Sequence, residues 1–119
     1  MVLGMSDLTV LRDNMRKFTE ERGWERFHDP KSLALALVGE VGELAELLQW
    51  LPAAEAREVL TQEPLSNRVA EEIADILIYL IRLADVLEID LAEAATRKLA
   101  AVGTRFPADE FFDSAPIKD

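Results

Sequence analysis

Apolar residues recur at spacings of three and four along most of the 119-residue chain, and no segment alternates with the two-residue period of a β-strand. The first predicted helix runs from Ser6, its N-cap, to about Arg22, and Gly23 closes it. The residues that follow, "WERFHDPKS", are predicted to form an aromatic loop. The apolar face of the first helix consists of Leu8, Leu11, Met15 and Phe18.

Further helices are predicted beyond this loop. Ser32 is expected to cap the second helix, which reaches about Trp50 and is stopped by Pro52. The segment "AAEAREVL" is predicted to be a short, surface-exposed helical connection. Pro64 and Ser66 are then typical of a helix start and predict a third helix over about residues 68–87.

A capping-box pattern, Asp90 followed by Glu93, begins a fourth helix that ends near Gly103. The last stretch, "FPADEFFDSAPIKD", contains two prolines and is predicted to be a tail that does not fold by itself. The sequence therefore predicts an all-α fold, an antiparallel four-helix bundle with a short extra helical connection. Residues 1–119 are predicted to form a single domain with residues 1–5 and 108–119 as flexible ends, and its small size favours oligomerisation.

Two of these helices carry a pair of acidic residues at the edge of an apolar face. On a wheel of 100° per residue, Glu40 lies at the margin of the apolar face of the second helix, and Glu43 lies about 60° beyond it. Glu72 and Asp75 have the same positions on the third helix. If these helices pack antiparallel, four carboxylates converge in one cleft. The two apolar faces consist of Leu37, Val41, Leu44, Ala45 and Leu48, and of Val69, Ile73, Ile76, Leu77, Leu80, Ala84 and Leu87.

Four neighbouring carboxylates need a counter-charge, because like charges a few ångströms apart raise one another's pKa values. All-oxygen ligands suit Mg²⁺ or Mn²⁺, and Mg²⁺ usually retains waters and binds phosphate-bearing substrates. A di-iron site of the bundle type is excluded because it needs Glu-x-x-His pairs, and neither acid pair contains a histidine. The pattern thus predicts a divalent cation bound by carboxylates.

The neighbours of the first acid pair are expected to have other roles. Gly39 and Gly42 flank Glu40 and leave room for a partner helix, a ligand or a water to approach the backbone. On the helical wheel Glu46 lies about 120° away from Glu40. This favours a solvated or supporting position for Glu46 over direct binding of the metal ion. Glu71 is expected to be a surface residue.

The amino-acid composition excludes several classes of binding partner and of metal site. Thirteen basic and twenty-three acidic residues give a formal net charge of −10, which repels nucleic-acid polymers and anionic membranes. The chain has no cysteine and a single histidine, which excludes disulfides, thiolate metal sites and multi-histidine zinc sites. Neither a membrane-spanning apolar run nor a signal-peptide pattern is present, so a cytoplasmic protein is expected.

The stretches "LALALVGEVGELAELLQW" and "EEIADILIYLIRLADVLEIDL" resemble the MazG-like all-α nucleoside triphosphate pyrophosphohydrolases, in particular their dCTP pyrophosphatase branch. The resemblance runs from about Leu8 to Pro107. It rests on an ExxE and an ExxD pair, a tryptophan soon after the first pair and a tyrosine four residues after the aspartate. It implies Mg²⁺-dependent cleavage of a nucleotide to its monophosphate and pyrophosphate, by a homodimer or by a dimer of dimers (a homotetramer).

By this resemblance the metal ligands are Glu40, Glu43, Glu72 and Asp75, with Mg²⁺ as the cation and Mn²⁺ as a possible substitute. Such cations bridge phosphate oxygens and lower the pKa of an attacking water, so no side-chain nucleophile is needed. A carboxylate not fully committed to metal, Glu43 or Glu46, is the candidate that orients this water.

The resemblance also suggests residues for the nucleobase. "WERFHDPKSL" is similar to the family's stretch before the second helix, which makes Trp24 and His28 candidates for base recognition by stacking and polar contact. Trp50 and Tyr79 are candidates for further walls of this pocket. Ordinary packing is an equally open interpretation of these two aromatic residues, and a loop hydrogen bond is one for His28.

A later segment of the sequence suggests which residues contact the phosphates and bears on the choice of base. "KLAAVGTRFP" resembles a family segment in which a lysine and an arginine precede an aromatic residue and a proline, so Lys98 and Arg105 are candidate phosphate ligands, with Lys31 a weaker one. The family often has asparagine at the position of Val102, and vertebrate relatives have a polar residue at that of Met15. Cytosine preference is therefore open.

Three functional hypotheses remain. The first is hydrolysis of dCTP or of 5-modified dCTP, which cleans the nucleotide pool. The second is the same reaction on dUTP or on a broad range of deoxynucleoside triphosphates. The third is a non-catalytic, acidic helical module whose apolar faces drive homo-oligomerisation.

Overall fold

A computed structural model describes residues 6–116 of the chain. These residues form helices and contain no strand, which confirms the predicted all-α class. A short 3₁₀ turn, Glu25–Phe27, lies between the first two helices. The α-helices of the described residues are α1 Asp7–Glu21, α2 Pro30–Leu48, α3 Ala53–Leu60, α4 Leu65–Val86, α5 Leu91–Arg105 and α6 Ala108–Phe111.

Side-chain caps begin three of these helices. Ser6 accepts from the backbone N–H of Thr9 at the start of α1, and Asp90 accepts from that of Glu93 at the start of α5, as predicted. The prediction that Ser32 caps α2 is wrong, because the helix begins two residues earlier. Asp29 is the cap: its carboxylate accepts from the Ser32 amide at 3.0 Å and from the Ser32 hydroxyl at 2.7 Å. Pro30 follows at the first helical position, which lacks an intrahelical N–H partner in any case.

Two other boundaries differ from the prediction. The helix expected from about residue 68 begins at Leu65, directly after Pro64. Within the predicted tail, residues 108–111 form the single turn α6, and the ring of Phe111 packs edge-to-face on that of Phe106 at 5.1 Å. The predicted flexible end at residues 1–5 lies outside the described residues, as do residues 117–119.

The chain divides into two compact units, one of residues up to Glu88 and one from Ile89 onward. In the first unit α4 packs mainly against α2, and also against α1 and α3. Helices α2 and α4 run in opposite directions, because His28 before α2 contacts Arg82 late in α4, whereas Glu43 lies beside Glu72 early in α4. The single domain, the four-helix bundle and its oligomer remain predictions.

The packed side of α2 differs from the wheel prediction. Glu40 was expected at the margin of the core, yet it is half-buried in the same sector of the helix as the buried Leu33. Residues from the middle of the predicted apolar face, such as Val41 and Leu48, are exposed instead. On α4, Ile73 is likewise exposed. The predicted core faces are therefore only partly covered within this chain.

Few of the described residues are buried, and two of these are polar or charged. The buried residues are Thr19, Leu33, Ile81, Arg82 and Ala84. None of the helices that the structure describes is sufficiently long and apolar to cross a membrane.

Candidate functional site

The two acid pairs meet where α2 packs on α4. Carboxylate oxygens of Glu40, Glu43 and Glu72 all lie within 4.8 Å of one another. Asp75 is outside this group of three, but its charge is close enough to raise the pKa values of Glu40 and Glu72. The helical register explains the convergence, because residues three apart share a face and the helices are antiparallel.

Two of these carboxyl groups have a buried oxygen atom that forms no hydrogen bond. These atoms are Oε2 of Glu40 and Oε2 of Glu72. Burial and the nearby carboxylates, first of all that of Glu43, together raise the pKa of Glu72 to about 7, with burial the larger cause. Burial also raises the pKa of Glu40, with the Glu43 carboxylate as the next cause.

This donor set fits a hard divalent cation. Unpartnered buried oxygens leave coordination positions open, and the local negative charge is uncompensated among the described residues. Three or four carboxylate oxygens without nitrogen or sulfur ligands match the preference of Mg²⁺ or Mn²⁺. A divalent cation bound by these carboxylates would neutralise the charge of a phosphate group.

Gly39, Gly42 and Glu46, which flank the acidic cluster on α2, are exposed to solvent. Glu46 is exposed on α2 and is not part of the three-residue group. A Cβ built on Gly39 or on Gly42 would meet nothing within 4 Å, so no part of the described chain requires these glycines. The predicted approach of a partner or ligand at this surface remains a prediction.

A cavity of about 190 Å³ lies in the same unit and is lined in part by Asp75, whose charge raises the pKa values of Glu40 and Glu72. It brings together three of the residues predicted for base recognition, Trp24, His28 and Tyr79. The Trp24 ring packs edge-to-face on Phe18, with centroids 5.8 Å apart. The complete lining is Met15, Phe18, Thr19, Trp24, His28, Leu33, Asp75, Ile78, Tyr79 and Arg82.

Arg82 is a lining residue that the sequence reasoning missed. Its side chain is buried, donates from Nε to His28 Nδ1 at 2.9 Å, and pairs with Asp85 at 3.2 Å. Asp85 also accepts two hydrogen bonds from Arg16, at 2.8 and 2.6 Å. The signal was available: an arginine inside the apolar run "LIYLIRLADVL", with an aspartate three residues on, needs a partner when it is buried.

Two predicted substrate-binding residues of the first unit are not part of this cavity. Trp50 follows the end of α2 and is 86% exposed. Lys31 is exposed in the first turn of α2. Their roles remain predictions.

The two main candidate phosphate ligands, Lys98 and Arg105, belong to the second unit. Lys98 is exposed on α5 and, with Ala94, Arg97 and Ala101, lines a shallow depression. Arg105 ends α5 and its guanidinium lies 5.1 Å from the centroid of the Phe106 ring. Both side chains are exposed within the second unit, and their phosphate contacts remain predictions.

Comparisons with known proteins identify relatives of the chain. dCTP pyrophosphatase 1 of Rattus norvegicus is 46% identical over 91 residues, which are 76% of this chain and 54% of that protein. The Homo sapiens protein of the same name is 45% identical over 92 residues, with 77% and 54% covered. The chain thus spans about half the length of these relatives. A crystal structure of a pyrophosphatase from Archaeoglobus fulgidus has a TM-score of 0.80 and 40% identity, covering 90% of this chain and 98% of that one.

The sequence model of the MazG-like family matches residues 36–115, well over half of the chain. The matched range contains both acid pairs, Tyr79 and Arg82. With a match of this extent, together with relatives above 40% identity, the chain belongs to the MazG-like family.

Proposed function

We propose that this protein hydrolyses a deoxynucleoside triphosphate, preferentially dCTP or 5-modified dCTP, to the monophosphate and pyrophosphate. The observation that carries the proposal is the convergence of Glu40, Glu43 and Glu72 beside a cavity lined by aromatic residues. The names of the relatives, dCTP pyrophosphatase and pyrophosphatase, support the same reaction.

Glu40, Glu43 and Glu72 would hold a divalent cation, Mg²⁺ or Mn²⁺, with Asp75 close by. When bound, such a cation neutralises phosphate charge and lowers the pKa of the water that attacks phosphorus. The buried, unpartnered oxygens of Glu40 and Glu72 suit direct ligation. Glu43 belongs to the cluster and is exposed, so its carboxylate is proposed to accept a proton from the attacking water. Glu46 is the alternative predicted from the sequence, although it lies outside the three-residue cluster.

The cavity would hold the nucleobase. Trp24 and Tyr79 offer aromatic surface on which a base can stack, an interaction worth about 1–3 kcal/mol. Asp75 belongs both to this lining and to the surroundings of the acidic cluster, so a base in the cavity would bring its phosphates toward the carboxylates. Met15 lines the cavity, so the residue at this position is proposed to influence the choice of base.

A second copy of the chain is proposed to cover the apolar surface of α2 and α4. Leu35 and Val38 on α2 are 62% and 66% exposed, and Ile73 on α4 is 52% exposed. Monomeric proteins rarely expose large contiguous apolar patches. A homodimer or homotetramer would bury these residues. No nucleic-acid polymer or membrane is proposed as a partner, and a cytoplasmic location remains the expectation from the sequence.

The test is a product analysis. The protein is incubated with Mg²⁺ and with each canonical or 5-substituted deoxynucleoside triphosphate, and the products are separated by anion exchange. Glu43→Gln is the test variant. Glu71→Gln is the matched control, because Glu71 is an exposed glutamate on α4 outside the three-residue cluster.

Monophosphate with pyrophosphate from the wild type and from Glu71→Gln, but not from Glu43→Gln, is the expected result. The ranking of rates then identifies the preferred base and separates dCTP from dUTP or broad specificity. Diphosphate with inorganic phosphate would contradict the proposed cleavage site. The absence of any turnover would favour a non-catalytic oligomerisation module.

A further inference from the structure

The hydrogen bond between Arg82 and His28 determines which nitrogen of the imidazole carries the proton. Arg82 Nε is a donor that does not lose its proton in proteins, so His28 Nδ1 must accept at 2.9 Å. A neutral imidazole has one donor and one acceptor nitrogen. The proton of neutral His28 is therefore on Nε2, which becomes a donor.

Several contacts hold the Arg82 guanidinium in this orientation. Arg82 as a whole is 8% exposed, and its Nη1 donates to Asp85 at 3.2 Å. The Asp85 carboxylate is in turn fixed by the two hydrogen bonds from Arg16 on α1. The Nε–H of Arg82 is thus directed at His28 by ion pairs that involve both α1 and α4.

His28 remains neutral at physiological pH. Burial lowers its pKa below the usual value of 6.5, and the positive charge of Arg82 lowers it further. The neutral form is the one in which a single nitrogen donates and the other accepts.

The cavity contains polar groups that have no partner in the described part of the chain. His28 lines the cavity, and the structure records no hydrogen bond to its Nε2 from residues 6–116. Thr19 lines the same cavity, and its buried Oγ1 also has no partner. A few polar groups among mainly aromatic and apolar lining residues are the usual means of orienting a ligand.

We infer that Arg82 is a positioning residue that fixes His28 as an N–H donor to an acceptor atom of the bound base. The acceptor is a carbonyl oxygen or an unprotonated ring nitrogen, such as O2 or N3 of cytosine. A base that presents an N–H group at this point is disfavoured, because two donors would face each other. This inference rests on the proposed function and assigns a specificity role within it.

Two substitutions of His28 separate base recognition from a structural role. In His28→Asn, the shorter amide can still accept from Arg82 but does not extend to the position of Nε2. In His28→Gln, the longer amide can donate near the position of Nε2 but loses the ring geometry that accepts from Arg82. Base recognition predicts that Asn is the worse replacement, whereas a purely structural role predicts that Gln is.

The first readout is the split between kcat and KM for hydrolysis of dCTP with Mg²⁺. His28→Asn and Arg82→Met are expected to raise KM by about five- to tenfold, the loss of one hydrogen bond, with kcat changed by less than about twofold. Arg68→Met, an exposed arginine earlier on α4, is the matched control and is expected to keep the KM of the wild type. An unchanged KM in His28→Asn would overturn the inference.

The second readout does not need turnover. His28 is the only histidine of the chain, so the ¹⁵N resonances of its ring are assigned without ambiguity. The expected spectrum has an unprotonated Nδ1 and a protonated Nε2, and the two resonances move toward each other in Arg82→Met as the tautomers mix. A protonated Nδ1 in the wild type would overturn the inference even if nucleotides are hydrolysed. If the spectrum is as expected but no nucleotide is hydrolysed, the proposed function fails and the base contact fails with it.

Discussion

Glu40 on α2 and Glu72 on α4 place carboxylate oxygens within 4.8 Å of each other, and each keeps its Oε2 buried without a hydrogen-bond partner. A fold held together by packing alone would not retain this pair, because two buried carboxylates raise the free energy of the folded state when both are ionised. The arrangement is stable when a proton or a cation compensates the charge. Protonation and metal binding should therefore compete at this site.

Metal binding should stabilise the folded chain. A cation present at about 100 times its dissociation constant is expected to add about 2.7 kcal/mol to the free energy of unfolding. Thermal unfolding with Mg²⁺, with Mn²⁺ and with a chelator measures this effect. Glu72→Gln should lose most of the metal-dependent increase in Tm, and Glu71→Gln should retain it. An equal increase in both variants would contradict the assignment of Glu72 as a ligand.

Without metal, the stability should depend on pH through Glu72. Its carboxyl group titrates at about 7 in the folded chain and near 4.5 when unfolded, so the folded state binds more protons between these values. The stabilisation by this proton is complete below about pH 4.5 and is lost as the pH rises through 7. Urea unfolding in a chelating buffer should show stability decreasing over this window.

The control for this pH dependence is the same pair of variants. Glu72→Gln removes this carboxyl group and leaves Glu40 and Glu43 in place, so it should show a smaller decrease in stability between pH 5 and pH 7.5. Glu71→Gln should decrease as the wild type does, because Glu71 is exposed. Saturating Mg²⁺ should also remove the decrease. A slope unaffected by Glu72→Gln would assign the pH dependence to other groups.

The sequence was sufficient to predict helices α1 to α5 and the acid pairs, because both depend on local spacing, but not the short helix α6. Helical periodicity and the Ser6 and Asp90 caps are short-range signals, and the structure agrees with them. The packed side of α2 was not predictable in the same way. A wheel identifies where apolar residues lie but not which of them a neighbouring helix covers, so Val41 was assigned to the core although it is 47% exposed.

The interaction of Arg82 with His28 depends on contacts between residues 54 positions apart, which periodicity does not encode. The position of the arginine in an apolar run indicated that it needs a partner but not which one. Asp85, three residues away, is a partner within the same helix. His28 becomes a partner only because α2 and α4 are antiparallel.

Asp85 should be important for stability. Its side chain is 7% exposed and compensates both Arg82 and Arg16, and hydrogen bonds from Arg16 lower its pKa. Asp85→Asn is expected to reduce the free energy of unfolding by about 3 kcal/mol, because it leaves the buried Arg82 without a carboxylate. Chemical denaturation at pH 7 measures this loss.

Asp13→Asn is the matched control for Asp85→Asn. Asp13 also pairs with arginines, Arg12 and Arg16, but its side chain is 45% exposed. Exposed ion pairs contribute little, so the loss should be less than about 1 kcal/mol. Similar losses in the two variants would show that burial of the pair is not what makes Asp85 important.

The apolar surface of α2 yields a prediction about assembly. Val38→Glu places a charge at a position that is 66% exposed in the single chain and buried if a second copy covers it. The variant should fold but have the mass of a smaller assembly in light scattering at micromolar concentration, because burying an unpaired carboxylate opposes association. Ala53→Glu adds the same charge to an exposed position of α3 and should keep the wild-type mass. A monomeric wild type, or a Val38→Glu protein of unchanged mass, would contradict an interface on this face.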